Sequence, residues 1–252
     1  IGIEMTGLLQ NNLLLRPTSF QLAKTLGATA AWEFTEATGD AIDDIGSNDG
    51  TITGTAQGAA AIHATSGGSY DFDGTGDVVE VTKHADIDNI FDGGGSIELW
   101  VDIDSDGQGN SGRIIEKRSP SGLLGWSLWT ETESGGNVAL AFRHDRATDG
   151  EWTSAVDIAI NTVHHLVLTY DKDDATNDPI LYVNAVARTE GSGLTESPEA
   201  AGSAKDDSSK DLHIGNQDGL GSSFDGQISG VHLYKTILTA AQVTSLYEAG
   251  KR

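Results

Sequence analysis

The amino-acid sequence predicts an all-β fold, a sandwich or barrel of short strands, with one short C-terminal helix and a leucine-rich N-terminal arm. Three observations carry this reading. From Ala28 to about Gly230, β-rich runs alternate with Gly, Asp, Asn and Ser clusters, the rhythm of closely spaced strands and turns. The chain has 252 residues, 32 of them glycine and only 4 proline, and is 37% hydrophobic, so turns are plentiful and a sizeable core is within reach. Along Ser96–Ile103, Ile97, Leu99, Val101 and Ile103 point one way and Glu98, Trp100 and Asp102 the other, the period of a strand.

The first segment, Ile1 to about Gly27, stands apart from residues 28–252. It carries Leu8, Leu9, Leu13, Leu14 and Leu15, then Leu22 and Leu26. Leucines at this density need burial, so the segment is expected to dock, as an edge strand or short helix on its own domain or as an assembly device on a neighbouring molecule. Further strands are expected at Ala31–Phe34, Tyr70–Phe72, Val78–Val81, Arg113–Lys117, Trp126–Thr130, Val138–Arg143, His164–Tyr170, Ile180–Val183, Leu212–Ile214 and Gln227–Tyr234. Asp171–Asp178 and Thr189–Lys210 read as loops. Thr239 with Gln242 three residues on forms a capping box, and Leu238 is placed to staple onto Val243, which starts a helix ending near Gly250.

Charge narrows the partners. With 38 acidic and 15 basic residues, the net charge of -23 repels phosphate backbones and anionic headgroups, so neither nucleic acid nor membrane insertion is expected. Neutral glycans, cations and protein surfaces remain. The absence of cysteine excludes disulfides, zinc-thiolate sites and cysteine nucleophiles. No apolar run reaches the ~18 residues of a membrane span.

Five pieces, read in order, resemble the bacterial and viral branch of the laminin-G-like jelly rolls of the concanavalin A-like superfamily. They are Ala31-Trp32-Glu33-Phe34, the run from Tyr70 to Val81, Ser96-Ile97-Glu98-Leu99-Trp100-Val101, the run from Asn161 to Asp171, and Phe224-Asp225-Gly226-Gln227-Ile228 continuing through Leu233-Tyr234 to Val243. The resemblance spans about Ala28–Gly250 and implies a two-sheet antiparallel jelly-roll sandwich. It also implies that Trp32 and Trp100 are core residues and that His164 and His165 are a framework pair. Such folds host lectins, adhesins, enzyme-appended glycan-binding modules and virion surface proteins, so function has to come from sites.

The candidate calcium ligands are Asp73, Asp77 and Asp225. The first two flank a Gly-x-Gly turn, and the resemblance brings Asp225 beside it; converging carboxylates would suit one structural calcium ion. Against this, the family pattern has an acidic pair where this chain has Ser229-Gly230. Asp102-x-Asp104-x-Asp106-Gly107 begins like a helix-loop-helix calcium loop but has Arg113 at the twelfth position, so it reads as a hairpin turn. Sugar binding calls for aromatic platforms, and Trp126, Trp129 and Trp152 are the candidates. Trp126 and Trp129 should face opposite ways, and Trp152, beside Asp149-Gly150-Glu151, should be the most exposed. No paired-carboxylate run of the kind that hydrolyses glycans is found. The sequence therefore predicts a non-catalytic binding or adhesion module for glycans, displayed extracellularly or on a cell or virion surface. The alternative is a structural or decoration subunit of a larger assembly docked through its arm.

Overall fold

The computed structural model of the protein describes residues 17–119 and 124–251. Helix α1 (Ser19–Thr25) comes first and α2 (Ala240–Gly250) last. Between them lie β1 (Ala30–Trp32), β2 (Gly50–Thr53), β3 (Ala56–Ala59), β4 (Ser69–Asp73), β5 (Val78–Val81), β6 (Gly95–Ile103), β7 (Arg113–Arg118), β8 (Gly125–Ser134) and β9 (Asn137–His144). They are followed by β10 (Gly150–Ser154), β11 (Ile158–Ala159), β12 (Val163–Tyr170), β13 (Ile180–Val183), β14 (Val186–Glu190), β15 (Gly193–Glu196), β16 (Leu212–Ile214) and β17 (Asp225–Tyr234).

The strands form a sandwich. The first sheet runs β14–β13–β12–β6–β17; one end of β17 pairs with β1 and the other with β4, outside which lies β3. The second runs β2–β5–β16–β7–β8–β9, with β10 and β11 side by side on β9 and β15 outside β10. All these pairs are antiparallel. β14 and β15 pair in parallel, which joins the sheets along one side. Every strand expected from the sequence is present.

The core follows from the period of two. Ile97, Leu99, Val101 and Ile103 of β6, Leu166 and Leu168 of β12 and Leu233 of β17 meet Ile115, Leu128, Leu140, Phe142 and Ile214 of the second sheet. Phe91 fixes one end of this core edge-on to Trp126, Phe142 and Tyr170, with centroids 5.4–5.7 Å away.

The outer face of the first sheet is covered by both helices. Thr18 caps α1 and Thr239 caps α2, each with a complete capping box to Gln21 and Gln242. Leu238 and Val243 are buried together as expected of a staple. Ala23, with Leu22 and Leu26, packs from α1 against Tyr234, Val243 and Leu246. Residues 17–27 of the arm thus lie on their own domain as a short helix; Leu8, Leu9, Leu13, Leu14 and Leu15 fall outside the described residues. No helix among the described residues is long and apolar enough to cross a membrane.

Two expectations are corrected. The stretch Thr189–Lys210 is not all loop, because β14 runs into it and β15 lies within it. These strands are short, with few large apolar residues, so their structure comes from pairing with neighbours rather than from local pattern. Trp152 is fully buried. The Asp149-Gly150 pair ends the preceding turn one residue earlier than the composition suggests, and Trp152 already sits in β10 between Phe142 of β9 and Glu196 of β15.

Candidate functional site

The outer face of β6 presents Glu98, Trp100 and Asp102. On the flanking strands, Val167, His165 and Val163 of β12 lie opposite them, while His232, Ser229 and Gln227 of β17 lie on the other side, offset by a bulge between Ser229 and His232. A strand with one apolar and one polar face would normally show the polar face to water. Here α1 and α2 seal it, leaving Glu98 0% and Trp100 3% exposed. Trp100 is therefore buried as the resemblance implied, but under α2 rather than between the sheets.

Glu98 is the centre of a buried ionic network. Its Oε1 faces His165 Nε2 at 3.1 Å, and its Oε2 accepts from the Tyr234 hydroxyl at 3.3 Å and from His232 Nδ1. The other nitrogen of His232 meets Glu33 Oε1 at 2.6 Å. A ring with both nitrogens on carboxylates is satisfied only as the imidazolium, which donates twice. Burial alone would raise the Glu98 carboxyl, but the His232 charge and the histidine hydrogen bonds outweigh it and hold it down at about 2. Burial alone would lower His232; Glu98 and Glu33 override it and push it up to about 10.

The pH dependence of folding follows. The stabilisation from His232 is complete below its unfolded pKa of about 6.5 and is lost as pH rises toward about 10. That from Glu98 is complete above about 4.3 and is lost as pH falls toward about 2. Urea-unfolding midpoints should therefore be highest between these limits and decline from about pH 6.5 to pH 10. His232→Gln should flatten that alkaline decline; an equal slope in both proteins would refute the assignment.

Beside this network a cavity of about 240 Å³ opens between β6, β12 and the end of α2. The Trp100 indole lies at its wall, stacked on His63 (4.8 Å, 15°), tilted against His165 (4.8 Å, 41°) and near-parallel to the half-buried Tyr247 (6.0 Å, 19°). Gly250 allows α2 to approach this closely, since a Cβ there would stand 2.4 Å from Trp100 Cζ2. The Ala64 amide donates to the Gly250 carbonyl at 2.8 Å and fastens the β3–β4 connection to the helix. Asn184 is held by accepting from the His165 amide at 2.9 Å. Lys251 lies 5.4 Å from the Tyr247 centroid and is tied to Glu248 at 3.0 Å. The indole N–H of Trp100 is buried with no hydrogen-bond partner. Chemically this is an aromatic-walled cavity, and one of its lining residues, Trp100, carries an unpartnered donor.

The tryptophans proposed from sequence lie elsewhere. Trp126 and Trp152 are core residues, with their indole N–H groups donating to Asp207 at 3.1 Å and Asp178 at 3.0 Å. Neither offers a ring face to solvent. Trp129 faces the opposite way from Trp126, as its odd spacing requires, but is 6% exposed and lies under the Arg113 guanidinium at 4.6 Å. Asp73, Asp77 and Asp225 do gather at one turn, and the Gly74 amide donates to the Phe224 carbonyl at 3.1 Å. Their oxygens serve as staples. Asp77 accepts from the Asp73 amide at 2.8 Å, Asp73 from the Thr75 amide at 2.8 Å and Asp225 from Ser105 at 2.5 Å. Among the described residues no group of three or more His, Cys, Asp or Glu is arranged to hold a metal ion. The cavity residues were missed because Tyr247 and Trp100 meet only once α2 folds back. The available signal was Glu98 sharing a face with Trp100.

A laminin-G family model, described as the concanavalin A-like lectin/glucanases superfamily, matches residues 73–244. No curated protein sequence matches the chain. Among solved structures, domain 4 of AbnA, an extracellular arabinanase from Geobacillus stearothermophilus in complex with arabinotriose, is similar at 19% identity and a TM-score of 0.56 over 88% of this chain and 98% of that one. The ligand binding domain of botulinum neurotoxin serotype D in complex with N-acetylneuraminic acid is similar at 13% identity and a TM-score of 0.60, over 90% of this chain and 52% of that one. A Trypanosoma rangeli sialidase is similar at 12% identity and a TM-score of 0.59, over 86% of this chain and 32% of that one. At these identities the likeness concerns the fold.

Proposed function

The chain belongs to the concanavalin A-like lectin/glucanases superfamily, and from that premise we propose that it is a non-catalytic carbohydrate-binding module whose glycan site is the cavity beside Trp100. The unpartnered indole N–H of Trp100 carries this reading. A buried donor without an acceptor is costly, and a sugar oxygen entering the cavity would satisfy it while the ring lies against Tyr247. At about 240 Å³ the cavity is smaller than the roughly 300–1,000 Å³ of drug-sized pockets, a size suited to one terminal sugar residue. Arabinotriose and N-acetylneuraminic acid on two structural neighbours support a sugar as the ligand class. Display outside the cytoplasm accords with the extracellular neighbour.

A glycan array probed with wild type, Trp100→Phe and Tyr247→Ala tests the site. Tyr247 is half-buried on the helix, so its truncation should leave the sandwich folded while weakening glycan binding at least about tenfold, the loss of one stacking contact. Trp100→Phe should do the same by removing the donor. A wild-type protein that binds nothing on the array, or a Tyr247→Ala variant that binds unchanged, refutes the proposal.

A further inference from the structure

We infer that Asn184 is the specificity-determining residue of this site and that it selects sugars carrying an acetamido group over their hydroxyl counterparts. This deepens the glycan reading above and rests on it. Asn184 lines the cavity together with Ile62 and Val163. It opens the two-residue turn from β13 to β14, across which Val183 pairs with Val186, and its φ of 52°, followed by 64° at Ala185, is a conformation that asparagine tolerates well. Main chain and side chain are both clamped to β12. The Asn184 amide donates to the His165 carbonyl at 2.8 Å, and Asn184 Oδ1 accepts from the His165 amide at 2.9 Å. Asn184 Nδ2 lies 3.2 Å from His164 Nδ1, while His164 Nε2 lies 2.9 Å from the Ala159 carbonyl. A ring nitrogen facing a carbonyl carries the hydrogen, so in the neutral ring Nδ1 is the acceptor and Asn184 Nδ2 donates to it. The side-chain amide is thereby fixed in orientation, and Nδ2 keeps a second N–H with no partner among the described residues.

A held N–H asks for an acceptor, and the walls decide which kind. Ile62 and Val163 present apolar side chains, and the side chains of Trp100 and Lys251 can only donate. A hydroxyl accepting from Asn184 would bring a hydrogen of its own that none of these four side chains receives. A carbonyl oxygen accepts without bringing one. In an acetamido group that oxygen sits beside a methyl, for which Ile62 and Val163, the latter next to His164 in the chain, provide apolar wall. The indole N–H of Trp100 is left for another oxygen of the same sugar.

Calorimetric titration with N-acetylglucosamine against glucose, and with N-acetylgalactosamine against galactose, provides the test, since the members of each pair differ only in the substituent at C2. Wild type should bind the acetamido sugar of each pair at least about fivefold more tightly, the worth of one hydrogen bond. Asn184→Asp keeps the acceptor for the His165 amide and tolerates the positive φ but has no N–H to offer; Asn184→Gly keeps the turn and removes the whole side chain. In both, the ratio should fall to about one or lower, while glucose and galactose bind nearly as in wild type. Either variant suffices if the other does not fold. An unchanged ratio in the folded variants, as expected of an asparagine that serves only the turn, or a wild type without preference within the pairs, overturns the role of Asn184 while leaving glycan binding in place. If wild type binds none of the four sugars, the glycan reading fails and this inference with it.

Discussion

Replacing Glu98 with alanine should destabilise the fold by about 3–5 kcal/mol, the cost of breaking a buried ion pair by removing one partner. Glu98 has 0% exposure and serves three groups, His165, His232 and Tyr234. Its removal leaves the His232 cation with only Glu33 and strips the Tyr234 hydroxyl of its acceptor, in a place water does not reach. Glu98→Gln separates charge from shape. It keeps an acceptor oxygen but turns the other terminus into a donor aimed at a donating ring, so its cost should be large and should grow as pH falls from about 10 to about 6.5, the range over which the charge on His232 adds to stability. Urea denaturation at pH 6 measures both. A loss below about 1 kcal/mol for Glu98→Ala would show that the network does not hold β6, β12 and β17 together.

Trp152→Ala should cost a similar amount, about 3–5 kcal/mol, as expected for a large buried aromatic. The ring is stacked with Phe142 at 5.9 Å and tilted on Tyr170 at 5.5 Å. It fills the space over Gly150, where a Cβ would lie 2.3 Å from its Cη2. Truncation leaves a cavity and removes the donor from Asp178. Trp152→Phe should recover most of the packing and lose the hydrogen bond, for a smaller loss. A near-neutral Trp152→Ala in thermal or urea melts would mean that the ring is at the surface, as the residues around it suggest from sequence.

That contrast shows what a sequence of this kind discloses. Long central strands such as β6 and β12 were legible because one face is continuously apolar and the period of two survives along it. Strands β2, β3, β10, β14 and β15 were not, because they are short, most of their residues are small or polar, and their structure comes from the ladders they pair into. The site was half legible. The pattern put Glu98, Trp100 and Asp102 on one face, but an alternating strand does not say whether its second face meets water or a helix. That depended on α2, whose capping box was readable at Thr239 and whose resting place was not. Likewise, Trp152 reads as a turn residue because Asp149-Gly150-Glu151 precedes it, while its burial comes from Phe142 and Tyr170.

β14 gives one edge to β13 and the other to β15, so both of its sides are already taken. A strand from another molecule has no template there, and the two layers cannot shear past each other on that side without breaking the β14–β15 ladder. Among the described strands, open hydrogen-bonding rows fall instead to short segments such as β2 and the irregularly paired β3. This construction opposes edge-to-edge polymerisation: the seam is welded where the sheets meet, and the rows left open are too short to propagate a fibre.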